Sequence, residues 1–193
     1  VNIKYSQTGL SSNVDELGMR EMQHLVYEQR NRQYLLVKAP PASGKSRAMM
    51  FVALDKLENQ GIKKVIVAVP EKTIGRSFDD TNLKDYGFFA NWKVAPYFNL
   101  CSGNEAEKKK RFFEFIDPGC KNKILVCTHS TLRNAVKELK DEQLNDCLFG
   151  IDEYHHSSAD VGNGLGELIR RLIANTKAHI LAMTGSYFRG DKI

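Results

Sequence analysis

The 193-residue sequence lacks the features that mark membrane proteins, secreted proteins and disulfide-stabilised proteins. No apolar run approaches the roughly 18 residues that a membrane-spanning helix needs, and residues 1–20 do not have the basic and then apolar layout of a signal peptide. The four cysteines form no CxxC pair, which argues against a structural zinc site and against a disulfide framework. These absences predict a cytoplasmic protein with free thiols and no membrane partner.

Low-complexity tracts, internal repeats and linkers rich in proline, glycine or serine are also missing. Hydrophobic residues make up 42% and charged residues 26% of the chain, which is the balance of an ordinary soluble protein. We therefore predict one domain over residues 1–193, long enough to bury a sizeable core. The formal net charge of +5 permits contact with phosphate groups but does not establish it.

Short apolar runs alternate with longer amphipathic stretches along the whole chain. Because the runs are continuously apolar, they predict strands that are buried on both faces, and the alternation predicts parallel strands joined by crossover helices. The predicted strands are residues 34–40, 64–70, 93–98, 123–129, 147–153 and 179–185. The predicted helices are residues 19–30, 45–58, 71–83, 105–115, 131–139 and 165–175. The expected fold is a three-layer α/β domain with a mostly parallel sheet, helices on both faces, and ligands at the carboxyl ends of the strands.

The segment APPASGKS matches the AxxxxGK[ST] form of the phosphate-binding P-loop. It lies after a predicted strand and before a predicted helix, where backbone N–H groups and the helix dipole favour a polyphosphate. Gly44 allows close backbone approach, Lys45 reaches the β- and γ-phosphates, and the Ser46 hydroxyl binds Mg²⁺. The predicted nucleotide-binding residues of this segment are Ala42, Ser43, Gly44, Lys45, Ser46 and Arg47.

Two acidic residues end the fifth predicted strand, in the segment FGIDEYHH. A carboxylate beside a P-loop can hold Mg²⁺ through water, and a neighbouring carboxylate can orient or deprotonate the attacking water. Asp152 is therefore predicted to bind the metal and Glu153 to be the catalytic base, with Lys45 completing the catalytic set. Adjacent acids are commonly no more than a solvated strand end, but their occurrence together with a P-loop favours the ATPase interpretation.

These two motifs together resemble the first motor domain of superfamily two helicases and translocases. The tetrapeptide DEYH fits the DExH group of that superfamily, which includes the helicase subunits of restriction enzymes. The resemblance implies a RecA-like P-loop ATPase domain that binds and hydrolyses ATP with Mg²⁺, and it favours DNA over RNA as the nucleic-acid partner. It also implies that a second motor domain, which carries an arginine finger, lies outside residues 1–193.

Three weaker segments match the order of motifs in this family. REMQ resembles the RxxQ element, whose glutamine recognises adenine; this implies that Gln23 recognises adenine and that Arg20 also belongs to the nucleotide-binding site. VAVPEKTI resembles motif Ia and CTHSTL resembles motif Ib, which implies nucleic-acid contacts at Pro70 and Thr128.

One more segment, MTGS near the end of the chain, resembles motif III. In the family this motif couples the ATP state to movement between the two motor domains. The resemblance therefore implies that Thr184 and Ser186 are coupling residues, together with His155 of the DEYH tetrapeptide.

Two other functions remain open at this point: a P-loop enzyme that transfers phosphate to a small molecule or protein, and a non-catalytic nucleotide-binding module. No arginine cluster resembling a kinase lid is present in the sequence, and a GTPase is disfavoured because there is no guanine-specifying NKxD sequence. Stimulation of ATP turnover by nucleic acid would distinguish the motor from both alternatives.

Overall fold

A computed structural model describes residues 14–40, 42–70, 76–154 and 164–185 of the chain. Its strands are β1 (Tyr34–Ala39), β2 (Lys64–Val69), β3 (Asn99–Leu100), β4 (Ile124–Thr128), β5 (Cys147–Ile151) and β6 (His179–Gly185). Its α-helices are α1 (Glu21–Glu28), α2 (Lys45–Asn59), α3 (Glu105–Ile116), α4 (His129–Val136) and α5 (Gly164–Asn175). Short 3₁₀ helices lie at Arg76–Phe78, Lys84–Tyr86, Pro96–Phe98 and Asp141–Leu144. None of the helices in the described ranges is both long and apolar enough to cross a membrane.

The six strands form one sheet in the order β1-β6-β5-β2-β4-β3, and every pair of neighbours runs parallel. The prediction of a three-layer α/β fold with a mostly parallel sheet is confirmed. Since parallel strands end at one edge of the sheet, the turn after β1 and the acidic pair after β5 lie on the same edge, separated by the end of β6.

The central strand β2 shows how helices cover both faces of the sheet. Val65, Val67 and Val69 pack in the core on the side of α1 and α2, whereas Ile66 and Ala68 pack in the core on the side of α3, α4 and α5. All five side chains are fully buried. A strand covered on both faces requires an apolar residue at every position, which explains its continuous apolar run.

Strand β1 lies at the edge of the sheet and is buried on one face only. Val37 and Ala39 are buried in the core with α1 and α2, but Tyr34 is 42% exposed and Leu36 is 64% exposed. The prediction that this strand is buried on both faces is therefore wrong. The helices on the other face pack against β6 and the strands beyond it, so their apolar surface does not extend over β1.

The predicted helix covers residues 71–83, of which residues 71–75 lie outside the described ranges. For residues 76–83, which the structure describes, the prediction is wrong. A single 3₁₀ turn ends at Phe78, and Thr81 then pairs with Trp92 in an antiparallel bridge through two backbone hydrogen bonds of 2.9 and 3.0 Å. Trp92 is fully buried, and its indole N–H donates to the carbonyl oxygen of Phe78 at 3.0 Å. These aromatic residues pack onto the α2 side of the core, and that burial overrides the local helical pattern.

The predicted strand at residues 93–98 is displaced towards the carboxyl terminus. Pro96 begins a 3₁₀ helix, and the short strand β3 forms only after it, at Asn99–Leu100. Proline has no N–H to give to a sheet ladder and suits the first position of a helical turn, so the apolar run around it does not pair as a strand. The other five predicted strands agree with the observed ones to within two residues.

Candidate nucleotide-binding site

The turn between β1 and α2 has the backbone conformation of a phosphate cradle. Ala42 has φ 60° and Gly44 has φ 88°, both in the left-handed region. Left-handed residues in a turn direct successive N–H groups into a concave nest that holds anions. Helix α2 begins at Lys45, immediately after Gly44, so the positive end of its dipole adds to the same anion site.

Gly44 is packed against Gln23, the residue predicted to recognise adenine. A Cβ at Gly44 would lie 2.4 Å from Nε2 of Gln23, so no other residue fits without displacing the glutamine. The Gln23 side chain is buried: its Nε2 donates to the Gly44 carbonyl at 3.1 Å, and its Oε1 accepts the N–H of Arg20 at 2.9 Å. Gln23 thereby joins the start of α1 to the P-loop, while Arg20 is exposed. Adenine recognition by Gln23 and nucleotide binding by Arg20 stay predictions.

The hydroxyl of Ser43 is buried in this turn and has no hydrogen-bond partner in the described part of the chain. A buried hydroxyl without a partner costs free energy, so such a group normally indicates a binding partner or a source of strain. The position of Ser43 in the nest makes an anionic oxygen a suitable partner, and this observation fits the predicted polyphosphate.

Lys45 joins the P-loop to the acidic pair. Its side chain is 7% exposed, and its Nζ donates to the carbonyl oxygens of Ala39 at 3.3 Å and Pro40 at 3.1 Å. The same Nζ lies 3.6 Å from Oε1 of Glu153. The structure thus brings together the two motifs that the sequence places far apart, and it does so around one buried ammonium group.

Asp152 is a buried carboxylate at the end of β5. Burial, with a further contribution from the charge of Glu153, raises its pKa from 3.8 to about 6. Its Oδ1 accepts the N–H of Glu153 at 3.1 Å, and only 5% of the residue is exposed. A divalent cation would favour the ionised form of such a carboxylate, so Asp152 fits the predicted Mg²⁺ site. Ser46, the other predicted metal ligand, lines the same cleft.

Glu153 has a backbone conformation that is unusual for a residue with a side chain. Its φ is 49°, in the left-handed region, which costs about 1 kcal/mol for a non-glycine residue. In this conformation its carboxylate lies near Lys45, and its Oε2 accepts the N–H of Gly185 at 3.2 Å. Backbone strain of this kind is concentrated at functional sites, where the surrounding contacts hold it in place.

Of the three predicted coupling residues, Thr184 lies in the described part of the chain. It is on β6, opposite Lys38 of β1, and it precedes Gly185, whose N–H donates to Glu153. The end of β6 therefore contacts the acidic pair directly. His155 and Ser186 lie outside the described residues, and the coupling role of all three remains a prediction.

The P-loop and the acidic pair line one cleft with a volume of about 500 Å³. Three lining residues were not predicted from the sequence: Met50, Ser77 and Thr81. Helical spacing relative to Ser46 could have indicated Met50, since residues four apart lie on one face of a helix. Ser77 and Thr81 come from the irregular segment before β3, where no sequence pattern indicates that the chain returns to the P-loop.

Arg47 also lines this cleft, and nucleotide binding by Arg47 remains a prediction. Its guanidinium carbon lies 5.5 Å from the ring centroid of Tyr86, within the range of a cation–π interaction. The segment before β3 therefore contacts the first turn of α2 through an exposed aromatic ring.

The two predicted nucleic-acid contacts lie at the ends of the adjacent strands β2 and β4. Pro70 directly follows β2 and is partly exposed. Thr128 is buried, and its Oγ1 accepts the N–H of Thr131 at 3.2 Å, which caps the amino terminus of α4. The hydroxyl of Thr128 is thus used within the protein, and contact with nucleic acid stays a prediction for both residues.

Comparison with known proteins identifies the family of the chain. The family model described as "Type III restriction enzyme, res subunit" matches residues 4–189. The chain belongs to this family. Over all 193 residues it is 58% identical to the "Putative ATP-dependent helicase YeeB" of Bacillus subtilis (strain 168), and it spans 32% of the length of that relative. The interpretation as an ATP-dependent helicase-family domain is confirmed, and neither the phosphotransferase nor the non-catalytic alternative is favoured.

Two solved structures have the same fold as this member of the family. The Hef helicase domain of Pyrococcus furiosus matches 92% of the chain with a TM-score of 0.61 and 19% identity, and the match covers 35% of that chain. The UvsW helicase of bacteriophage T4 matches 93% of the chain with a TM-score of 0.55 and 18% identity, and the match covers 57% of that chain. These likenesses confirm the predicted RecA-like α/β fold.

Proposed function

We propose that residues 1–193 are the ATP-binding half of a nucleic-acid motor, which binds Mg-ATP in the 500 Å³ cleft and hydrolyses it. The observation that best supports this is the 3.6 Å approach of Lys45 to Glu153 across that cleft. It places a P-loop cation beside a candidate general base, with the buried carboxylate of Asp152 next to both. Membership of a restriction-enzyme subunit family supports the same assignment.

The residues of the P-loop and the acidic pair each have a role in this proposal. The N–H groups of residues 42–46 and the Lys45 ammonium would bind the phosphates. Ser46 and Asp152 would hold Mg²⁺, which neutralises charge on the phosphate oxygens when it is bound. Glu153 would orient the attacking water and accept its proton.

Nucleotide binding would affect the ion pair between Lys45 and Glu153. A phosphate oxygen that binds Lys45 competes with the Glu153 carboxylate for the same ammonium group. Nucleotide binding would thus weaken the contact between Lys45 and Glu153, while the second oxygen of Glu153 stays on the N–H of Gly185.

We further propose that nucleic acid, with DNA favoured over RNA, and a second motor domain are the partners of this domain. The description of the family as restriction-enzyme subunits supports DNA, and the 32% coverage of the Bacillus relative leaves room for a second motor domain in that protein. An arginine finger supplied by such a domain would accelerate hydrolysis by about 10³- to 10⁵-fold, so the isolated domain should bind ATP and hydrolyse it slowly.

Isothermal titration of Mg-ATP tests the binding site. Lys45→Ala should abolish measurable binding, because it removes the cation from a cradle that otherwise offers only neutral N–H groups. Lys63→Ala is the matched control, since Lys63 is an exposed lysine that pairs with Asp146 outside the cleft. Equal affinity of the Lys45 variant and the wild type would overturn the proposal.

Steady-state ATP turnover in the intact protein tests the catalytic assignment. Glu153→Gln should keep Mg-ATP binding and lose turnover, because an amide cannot accept the proton. Single-stranded DNA, duplex DNA and RNA should be added separately to the wild type. Stimulation by none of them would refute the motor, and stimulation by RNA alone would refute DNA as the partner.

A further inference from the structure

His129 connects two parts of the molecule that are distant in the sequence. It is the first residue of α4 and directly follows Thr128 at the end of β4. Its Nε2 lies 2.9 Å from the backbone carbonyl oxygen of Asp152, at the end of β5. Because β2 lies between β4 and β5, the imidazole must cross the carboxyl end of β2 to make this contact. A carbonyl oxygen can only accept a hydrogen bond, so Nε2 carries the hydrogen.

The acceptor belongs to the peptide group that joins Asp152 to Glu153. The preceding peptide is already held by the sheet, because the N–H of Asp152 donates to the carbonyl of Ala68 on β2 at 2.9 Å. The orientation of the next peptide plane determines where the chain places Glu153, whose φ of 49° is unfavourable for a residue with a Cβ. The hydrogen bond from His129 fixes that plane from the other side of β2.

We propose that His129 is a positioning residue, which holds the peptide between Asp152 and Glu153 so that the Glu153 carboxylate faces Lys45 and Gly185. This inference rests on the proposed function, since it assumes that Glu153 activates water. His129 also lies in the turn where the sequence predicts contact with nucleic acid. A shift of this turn when nucleic acid binds would move the hydrogen-bond donor and reorient the catalytic carboxylate.

The required hydrogen bond predicts which substitutions are tolerated. The Nε2 of glutamine extends about as far from the backbone as the Nε2 of histidine, so His129→Gln keeps a donor near the Asp152 carbonyl. The shorter side chain of His129→Asn places its amide nitrogen near the position of Nδ1 and leaves that carbonyl without its donor. Both variants carry a neutral amide of similar polarity. A difference between them therefore shows the effect of how far the hydrogen-bond donor extends and not of which chemical group donates.

The experiment measures ATP turnover by the intact protein, with and without the nucleic acid that stimulates it. His129→Asn should lower the stimulated kcat by about 10- to 100-fold, the usual effect of misplacing a catalytic group by about 1 Å, and should leave the KM for ATP within about twofold. The ratio of stimulated to basal turnover should also fall. His129→Gln should recover most of the stimulated kcat and most of the ratio of stimulated to basal turnover. Ser130→Ala changes the adjacent residue of the same turn and is the control for disturbance of the turn itself.

The outcomes separate this inference from the proposed function. If the wild type does not hydrolyse ATP, the proposed function fails. If the wild type is active and His129→Asn matches it in kcat and in stimulation, the positioning role is wrong. Equal losses in the Asn and Gln variants would also overturn the role, because they would show that ring packing matters and the hydrogen bond does not.

A second variant covers the case in which His129→Asn does not fold. His129→Gly leaves space for free imidazole, which can donate to the Asp152 carbonyl in place of the side chain. Added imidazole should raise the stimulated kcat of this variant and leave that of the wild type unchanged. Absence of any rescue in a variant that still binds ATP would count against the inference.

Discussion

Replacement of Asp152 by asparagine should make the nucleotide-free domain more stable at neutral pH while it removes metal-dependent activity. The carboxylate is buried, and its pKa is raised from 3.8 to about 6 by that burial and by the charge of Glu153. A raised pKa means that ionisation of this group is less favourable in the folded state than in the unfolded state. Asparagine keeps an Oδ1 that can accept the N–H of Glu153 and carries no charge.

The size of the effect follows from the pKa difference. An increase from 3.8 to about 6 corresponds to roughly 3 kcal/mol of folding free energy, at about 1.4 kcal/mol for each unit of pKa. We take this as an upper limit and expect Asp152→Asn to raise the free energy of unfolding by about 1 to 3 kcal/mol above pH 7. Below pH 3.8 the carboxyl is protonated in both states, so the advantage of the variant should develop as the pH rises from 3.8 to 6 and stay constant above that range.

Urea unfolding of the 193-residue chain, followed by circular dichroism in the presence of EDTA, measures this difference at pH 5.0 and pH 7.5. The difference in free energy of unfolding between variant and wild type should be larger at pH 7.5 than at pH 5.0. Addition of Mg-ATP should stabilise the wild type, because a ligand that binds only the folded state raises its stability. It should not stabilise the variant, which lacks the carboxylate proposed to hold Mg²⁺. A variant that is no more stable than the wild type at pH 7.5, or a gap that does not narrow at pH 5.0, would refute the reasoning.

Three other substitutions test how the fold holds the site. Gly150→Val should lower the free energy of unfolding by about 1 to 3 kcal/mol and weaken Mg-ATP binding, because a Cβ there would lie 2.5 Å from Sδ of the fully buried Met49 and would push β5 away from α2; wild-type urea midpoint and affinity would contradict this. Arg171→Lys should cost about 1 to 2 kcal/mol in urea unfolding, since lysine cannot reproduce the guanidinium bonds to the carbonyls of Val136, the last residue of α4, and of Leu139, just beyond it; an unchanged midpoint would show that these bonds add no stability. The pKa of His179 is lowered from 6.5 to about 4 by burial and by Lys56, so the unfolded state binds more protons between these values and stability should fall as the pH drops from 6.5 to 4. His179→Asn, which keeps an acceptor for the Lys56 ammonium, should reduce that fall, and parallel pH profiles for variant and wild type would exclude the histidine as its source.

Local patterns in the sequence predicted the elements whose structure depends mainly on neighbouring residues. The apolar runs predicted five of the six strands. Four of these are covered on both faces and therefore favour apolar residues along most of their length, whereas β1 is covered on one face only. The P-loop was recognisable because Gly44, Lys45 and Ser46 must follow one another at a strand-to-helix turn for their groups to converge on a phosphate. The acidic pair was recognisable because it follows an apolar run in a chain that also contains a P-loop.

Contacts between distant segments decided the remaining features, and no local pattern carries them. The segment in which Thr81 pairs with Trp92 does not form the predicted helix, because its aromatic side chains are buried against α2. Gln23 reaches the P-loop because α1 packs against α2, and His129 reaches Asp152 because β4 and β5 end at the same edge of the sheet, on either side of β2. A sequence specifies which groups are present and which local conformations they favour, whereas the register and order of the strands, set by burial of the whole core, determine which of those groups meet.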